Sequence, residues 1–275
     1  MAVLNNKLFF LASIFILGAL ASQAMARSAP HEAAMRLRHE QWMARYGRVY
    51  GSANEKEARY QIFKDNAALV DSFNVAGDKP YKLGTNQFAD LTNEEFRATR
   101  NRFKGHMCSA QQGPFRGEDQ GCSGGLMDDA FKFIIANKGL TTEANYPYSA
   151  ADGSCSASKE GNHAATIKGY EDVPTNSESA LLKAVANQPI SVAIDAGDSS
   201  FQLYESGIFT GECGTELDHG VTAVGYGDSG GMKYWLIKNS WGTQWGEEGY
   251  IRMQRDIPAK EGICGIAMQA SYPTA

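Results

Sequence analysis

Two motifs in the C-terminal half of the chain contain residue types that could do chemistry. The first runs from Leu217 to Val221 and contains His219, and the second runs from Trp235 to Met253 and contains Asn239 and Trp241. A histidine beside a cysteine thiol can stabilise the thiolate and later give a proton to a leaving amine. An amide oxygen can hold the imidazole ring in the tautomer that this reaction needs. These residue types therefore suit covalent catalysis by a cysteine.

The cysteines and the compartment of the chain bear on that chemistry. Lys7 precedes an apolar run from Leu8 to Leu20, and small residues around Ala24 and Ala26 fit a cleavage site. The run is too short to span a membrane, so residues 1–26 are interpreted as a secretory signal peptide, with an N-terminal membrane anchor as the alternative. Secretion permits disulfides. The five cysteines leave at least one thiol free or bound to another molecule; they are Cys108, Cys122, Cys155, Cys213 and Cys264.

Composition excludes several classes of function. A net charge of −5 gives no basic footprint for nucleic acid. The mean hydropathy of −0.36 is typical of a soluble protein, and no stretch after the signal peptide is apolar enough to span a membrane. The sequence contains no metal-ligand cluster and no phosphate-binding loop, so we expect no cofactor. We expect a monomer that does not associate with membranes once the signal is removed.

The N-terminal third is predicted to be helical and charged. Residues from Asn54 to Asn74 lack Pro and Gly and form one predicted helix. Six residues three or four positions apart share one face of it: Glu55, Arg59, Phe63, Asn66, Val70 and Asn74. After the helix, four marked positions alternate and predict a short strand beneath it: Gly84, Asn86, Phe88 and Asp90.

The remainder is predicted to contain two helices and a set of short strands. The helices cover Met127–Lys138 and Ser177–Asn187. The strands are bounded by Gly, Pro or Asn and cover Ile167–Val173, Ile190–Asp195, His219–Tyr226, Tyr234–Asn239 and Gly249–Gln254. Short strands separated by turns favour an antiparallel sheet or barrel.

Three patterns together resemble one protein family. The helix stripe resembles the ERFNIN pattern of papain-family propeptides, with Val70 in the usual isoleucine place, and the segment from Gly84 to Asp90 resembles their GxNxFxD pattern. The motifs around His219 and Asn239 resemble those of papain-like cysteine proteases. The segments Leu217–Gly220 and Gly124–Phe131 resemble the plant, senescence-associated type of these proteases.

The resemblance implies an α+β, papain-like fold divided along the chain. Residues 27–103 would be an inhibitory prodomain of helical type, and residues 104–120 a linker that contains a deletion junction. Residues 121–275 would be a truncated peptidase domain, with part of its helical half and an antiparallel β-barrel half.

The resemblance also assigns roles to single residues. His219 would be the catalytic acid and base, Asn239 the amide that orients it, and Trp241 the cover of their hydrogen bond. Cys213 and Cys264 would form a disulfide. Gly124 and Gly125 would present backbone groups to an extended peptide substrate. An apolar pocket for one of its side chains would be lined by Leu126, Met127, Ala193 and Leu217, and Asp218 is also assigned to substrate binding.

The family's nucleophile segment, of the type Gln-Gly-x-Cys-Gly-Ser-Cys-Trp, is absent. The sequence passes from Arg116 directly to Gly117 and then to Cys122. Cys122 is followed by residues typical of a later family segment in which the cysteine forms a disulfide, so we do not interpret it as the nucleophile. Cys122 and Cys155 would have lost their partners, unless they pair with each other or with Cys108.

Three functional hypotheses follow. The chain is a cysteine endopeptidase zymogen by family that is inactive because its nucleophile and oxyanion glutamine are missing. Alternatively, its prodomain inhibits related cysteine proteases in trans. The third hypothesis is an unstable product of altered splicing, deletion or gene prediction. An intact form would cleave peptides or proteins in a vacuole, a lysosome or the extracellular space.

Overall fold

Two units make up the part of the chain that the structure describes. The structure is a computed structural model, and it describes residues 30–100, 124–149, 151 and 153–275. The first unit ends at Ala68 and the second begins at Leu69. The predicted signal peptide, the predicted linker, Cys108 and Cys122 lie outside the described residues.

The first unit is a helical pair with an aromatic core. Residues 30–46 form helix α1, and helix α2 runs over Ala53–Ala76 and crosses into the second unit. Ser52 caps α2 by accepting from the backbone N–H of Glu55 at 3.1 Å. The Glu55 carboxylate accepts from the N–H of Gly51 at 2.8 Å. This reciprocal arrangement satisfies two backbone donors at the helix start.

The predicted helix stripe is confirmed as one helix with a buried apolar part. Phe63 on α2 is fully buried, and its ring centroid lies 5.0 Å from that of His39 and 5.2 Å from that of Trp42. Val70, further along the same face, is also buried. Apolar burial at these positions therefore stabilises the helix, because a helix gains most of its stability from packing.

The first strand of the second unit lies earlier than the sequence predicts. Strand β1 covers Tyr81–Leu83, and Asn74 fixes it with two hydrogen bonds to the Leu83 backbone, at 2.7 and 3.1 Å. β1 pairs with β4 (Tyr204–Phe209) opposite Gly207. Gly207 has φ 95°, and a Cβ there would lie 2.4 Å from the Pro80 carbonyl oxygen. Only glycine fits this close approach of two backbones.

The strand predicted for Gly84 to Asp90 is wrong. Residues 87–90 form turns instead. The Asn86 side-chain oxygen accepts from the N–H of Phe88 at 3.0 Å, and the Asn86 carbonyl accepts from the N–H of Ala89 at 3.1 Å. Local hydrogen bonds from an Asn side chain compete with sheet pairing, and here the turn wins.

Helix α3 (Asn93–Arg100) follows the turn and was not predicted as a separate element. Thr92 accepts from the N–H of Glu95 at 3.1 Å, and the Glu95 carboxylate accepts from the N–H of Thr92 at 3.0 Å. The Thr-x-x-Glu spacing is a capping signal in the sequence that would have found this start.

The remaining elements of the second unit follow in chain order. The helices are α4 (Met127–Ala136), α5 (Ala157–Glu160), α6 (Glu178–Val185) and α7 (Ser199–Gln202), with a 3₁₀ turn at Ile263–Gly265. The other strands are β2 (Gly169–Asp172), β3 (Ile190–Ile194), β5 (His219–Ser229), β6 (Met232–Lys238), β7 (Tyr250–Gln254) and β8 (Ala270–Thr274).

The strands form a largely antiparallel sheet. Its eight strands run in the order β1-β4-β7-β6-β5-β3-β8-β2, and the pair β4–β7 is parallel. The predicted α+β class is confirmed, and each of the five strands predicted after residue 160 overlaps an observed one. The sequence missed β4 and β8. β4 contains Gly207 and β8 contains Pro273, two residue types that weaken a strand signal.

Helix α4 packs loosely on the rest of this unit. The Ser271 hydroxyl of β8 donates to the Asp128 carboxylate of this helix at 2.6 Å. The Phe131 ring stacks on the Tyr170 ring, with centroids 5.9 Å apart. None of its ten residues is buried, and Phe133 is 45% exposed. Among the described residues, no helix combines the length and apolarity needed to cross a membrane.

Candidate active site

The centre of the candidate site is a buried pair of side chains, His219 and Asn239. His219 begins β5, and Asn239 directly follows β6, which pairs antiparallel with β5. The hairpin therefore returns the end of β6 to the start of β5. His219 Nε2 lies 2.8 Å from Asn239 Oδ1, and the two residues are 5% and 8% exposed. The amide oxygen can accept only a proton carried by Nε2, which leaves Nδ1 as the nitrogen available for proton transfer.

Trp241 covers this pair. Its ring stacks on the His219 imidazole with centroids 4.7 Å apart and an angle of 23°. Trp245 holds Trp241 from the edge, at 4.8 Å. The N–H of Ser240 donates to Asn239 Oδ1 at 2.7 Å, so the amide oxygen is fixed from two sides. The imidazole is consequently held in one orientation in a water-poor setting.

Burial controls the charge of His219. It lowers the pKa of the imidazole to about 4, and the hydrogen bond to Asn239 opposes this shift only in part. Loss of water disfavours the cationic form of a histidine. His219 is therefore neutral at mildly acidic pH in this chain.

A pocket of about 400 Å³ opens beside His219. Two of the predicted substrate residues, Gly125 and Met127, line it. The sequence missed its other lining residues, which come from α3, β3, β5 and the residue after Asn239: Arg100, Ser191, Val192, Gly220, Val221, Thr222 and Ser240. Most of them lie on β3 and on β5, the strand that His219 begins, so the pairing of these two strands rather than a motif brings them together.

The other predicted substrate residues occupy varied positions. Gly124 and Leu126 adjoin the pocket-lining Gly125 in the chain and are partly exposed. Ala193 is fully buried within β3, and its N–H donates to the carbonyl of Gln269. Asp218 accepts from the N–H of Ala196 at 2.9 Å, which fixes the residue before His219. Leu217 is partly exposed and lies near Gly265.

A comparison with known families identifies the family to which this fold and its His219–Asn239 pair belong. Residues 105–274 match the family described as papain family cysteine protease, and residues 39–96 match the cathepsin propeptide inhibitor domain. The first match alone spans more than half of the chain. The chain belongs to the papain family of cysteine proteases.

Relatives within the papain family are similar over nearly the whole chain. A senescence-specific cysteine protease, SAG39, of Oryza sativa subsp. indica is 48% identical, over 91% of this chain and 93% of its own length. The structure of a recombinant stem bromelain precursor is 39% identical, with a TM-score of 0.81, over 88% of this chain and 99% of its own. This chain therefore has a papain-like fold, and it is similar to the precursor form of such a protease, in which the propeptide is still attached.

One papain-family relative also reveals a difference in length. The senescence-specific cysteine protease SAG12 of Arabidopsis thaliana is 41% identical over 346 positions, which take in all of both chains. This chain has 275 residues and can fill at most 275 of the 346 aligned positions, so at least 71 of them have no residue here.

Residues 86–96 form the end of the match to the propeptide inhibitor domain, are called the propeptide-type segment below, and pack directly on Trp241. Phe88 and Phe96 meet its ring edge-on, with centroids 5.7 and 5.0 Å away. The Gln87 side-chain amide donates to the Trp241 carbonyl at 2.8 Å. Edge-to-face aromatic pairs add stability beyond the area that they bury. The residues around the GxNxFxD pattern therefore pack on Trp241, the tryptophan that shields the His219–Asn239 pair.

The cysteines of the described residues offer no nucleophile at this site. Cys213 and Cys264 form the disulfide that the resemblance implies, with Cα atoms 5.0 Å apart. It ties the loop after β4 to the 3₁₀ turn and removes both thiols from chemistry. Cys155 is free and exposed. Within the described part of the chain, no cluster of His, Cys, Asp and Glu could hold a metal ion.

Proposed function

We propose that this chain is a papain-type protease precursor that keeps the acid–base half of its active site and is catalytically inactive. The observation that carries the proposal is the fixed His219–Asn239 pair in a sequence without a Gln-Gly-x-Cys-Gly-Ser-Cys-Trp segment. The missing positions relative to SAG12 support a deletion, which we place near the Arg116–Gly117 junction.

Chemistry explains why the remaining residues do not suffice. Peptide hydrolysis through a thioester needs a thiolate that attacks the carbonyl carbon, while the imidazolium protonates the leaving amine. In this chain burial lowers the pKa of His219 to about 4, and among the described residues no anion beside the imidazole holds it protonated. Removal of the nucleophile from such a unit abolishes nearly all of the rate, because its members act together.

The organisation of the precursor is part of the proposal. Residues 1–26 direct the chain to the secretory pathway, residues 27–103 are the prodomain, and residues 121–275 are the truncated peptidase part. An intact form would cleave peptides presented at the pocket beside His219 in a vacuole, a lysosome or the extracellular space. The names of SAG39 and SAG12 support a role in plant senescence.

A gain-of-function experiment tests the proposal. A family nucleophile segment is inserted between Arg116 and Gly117, and turnover of a dipeptidyl fluorogenic substrate is measured after removal of the prodomain. We expect turnover that is lost in the His219→Ala version of the same chain. A correctly folded insertion chain without turnover would show that the deletion is not the reason for inactivity.

A second candidate function is inhibition in trans by the prodomain. It is favoured by the match of residues 39–96 to the propeptide inhibitor domain and by the packing of Phe88 and Phe96 on a tryptophan of the peptidase part. The test is titration of active papain-like proteases with the full chain. Phe63→Ala and Asp90→Ala chains serve as controls, and no inhibition at micromolar concentration would contradict it.

Exposed apolar side chains in α4 and just after it favour a third candidate, an unstable product of an altered transcript. Phe133 and Leu140 are 45% and 39% exposed, as expected where a packing partner has been lost. Sequencing the transcript across the Arg116–Gly117 junction tests it. A longer in-frame product would identify this chain as a variant of an intact protease, and its absence would leave an inactive homologue.

A further inference from the structure

Gln202 is a buried polar residue at the junction of the propeptide-type segment and the peptidase part. It ends α7, and only 1% of its surface is exposed. The catalytic chemistry proposed above does not use it. A buried amide side chain is costly unless its hydrogen-bonding groups have partners, so the partners of Gln202 indicate what it does.

The side chain of Gln202 is directed at one turn of the propeptide-type segment. Its Nε2 donates to the carbonyl oxygens of Phe88 and Leu91, at 3.1 and 3.2 Å. Its Oε1 accepts from the Asn93 side chain at 3.2 Å. Both amide protons and the amide oxygen are therefore engaged by residues more than a hundred positions away in the chain.

The backbone of Gln202 takes part as well. Its carbonyl oxygen accepts from Asn86 Nδ2 at 2.8 Å and from Trp245 Nε1 at 3.2 Å. Trp245 supports Trp241 at the His219 site. One residue thus connects the propeptide-type turn with the tryptophan pair that covers the candidate site.

The two carbonyls that Gln202 contacts define the shape of the turn. The N–H of Leu91 donates to the Phe88 carbonyl at 3.1 Å, which closes the turn just before the Thr92–Glu95 cap of α3. A primary amide presents two protons, which match two carbonyl oxygens held at this spacing. Gln202 contacts backbone atoms there, so it responds to the conformation of the turn rather than to its side chains.

We infer that Gln202 is the positioning residue by which the peptidase part recognises the Phe88–Leu91 turn and holds α3 against Trp241. The inference rests on the proposed assignment of residues 27–103 as the prodomain. Without the Gln202 amide, the carbonyl oxygens of Phe88 and Leu91 would lose a hydrogen-bond donor. Because this region is buried, water would not replace that donor fully, and the turn would be destabilised. The turn and α3 would then open more often, while the sheet would keep its own hydrogen bonds.

Amide hydrogen exchange of the full chain, read by mass spectrometry, tests the inference. Gln202→Met keeps the side-chain length and removes the side-chain hydrogen bonds, while the backbone carbonyl of residue 202 can still accept from Asn86 and Trp245. We expect exchange over residues 88–100 to become about tenfold faster or more, with β5 and β6 unchanged. Gln188→Met is the matched control, because Gln188 donates to the Pro273 carbonyl at 3.0 Å, away from the prodomain. It should leave residues 88–100 unchanged.

Two outcomes would overturn the inference. Unchanged exchange over residues 88–100 in Gln202→Met would show that the amide contacts do not hold the turn. Equal acceleration in residues 88–100 and in the β5–β6 hairpin would show a general structural role. Should Gln202→Met fail to fold, Asn93→Ala removes a single bond to Gln202 and should still accelerate exchange severalfold at the start of α3. Peptidase activity is not the readout, so the result is independent of the proposed inactivity.

Discussion

The buried imidazole of His219 makes a quantitative prediction about the stability of this chain in acid. We consider the replacement His219→Gln, which is neutral at all pH values and can still donate to Asn239 Oδ1. The histidine has a folded-state pKa of about 4, against an ordinary value of 6.5. In the interval between these values the unfolded chain binds a proton that the folded chain does not. The stability of the native chain therefore falls as the pH is lowered through that interval.

The size of this effect follows from the two pKa values. Between about pH 7.5 and about pH 4.5, the His219 contribution lowers the free energy of unfolding by about 2.5 kcal/mol. That is a large share of the typical stability of a domain, about 5–15 kcal/mol. Burial is the larger cause of the shift, so the effect depends on the packing of Trp241 over the ring.

Urea unfolding of both chains at the two pH values provides the assay. All other titrating groups are shared, so the difference between the two chains isolates His219. We expect the native chain to lose about 2.5 kcal/mol more than His219→Gln on acidification. An equal loss in the two chains would refute the reasoning, because it would mean that His219 takes up its proton in the folded state at its ordinary pKa.

Three further substitutions test the packing that surrounds this site. Phe63→Ala should destabilise the first unit by about 3–5 kcal/mol, since it empties a fully buried position between aromatic rings, and denaturant unfolding followed by tryptophan fluorescence would measure it. Cys213→Ser should lower stability by about 4 kcal/mol by opening a loop with a sequence separation of 51 residues, whereas an unchanged urea midpoint would contradict the disulfide. Thr92→Ala should weaken α3 by about 1 kcal/mol through loss of its cap, visible as faster amide exchange in that helix only.

Periodicity and motifs predicted the parts of this molecule that are specified locally. The single helix that carries Phe63 and Val70 follows from apolar spacing, and both residues are buried as expected. His219 and Asn239 could be paired from the family resemblance, and the structure places their side chains 2.8 Å apart. In each case a few nearby residues carry the whole signal.

The parts that sequence reasoning missed depend on contacts between distant residues or on competing local bonds. The pattern from Gly84 to Asp90 alternates like a strand, but the Asn86 side chain bonds to the Phe88 N–H and forms a turn. The role of Gln202 has no local signature, because its partners lie near residue 90. The pocket walls likewise come from the pairing of β3 with β5, which no single motif encodes.

The central claim, an acid–base pair without a nucleophile, is tested most directly by the peptidase activity of the unaltered chain. The prodomain is removed by limited digestion with an unrelated serine protease, which is then inhibited, and hydrolysis of a dipeptidyl fluorogenic substrate is compared with that by His219→Ala and Cys122→Ser chains treated in the same way. We predict that all three give the same background rate. Turnover by the unaltered chain that is lost in both variants would contradict the account and would identify Cys122 as the nucleophile.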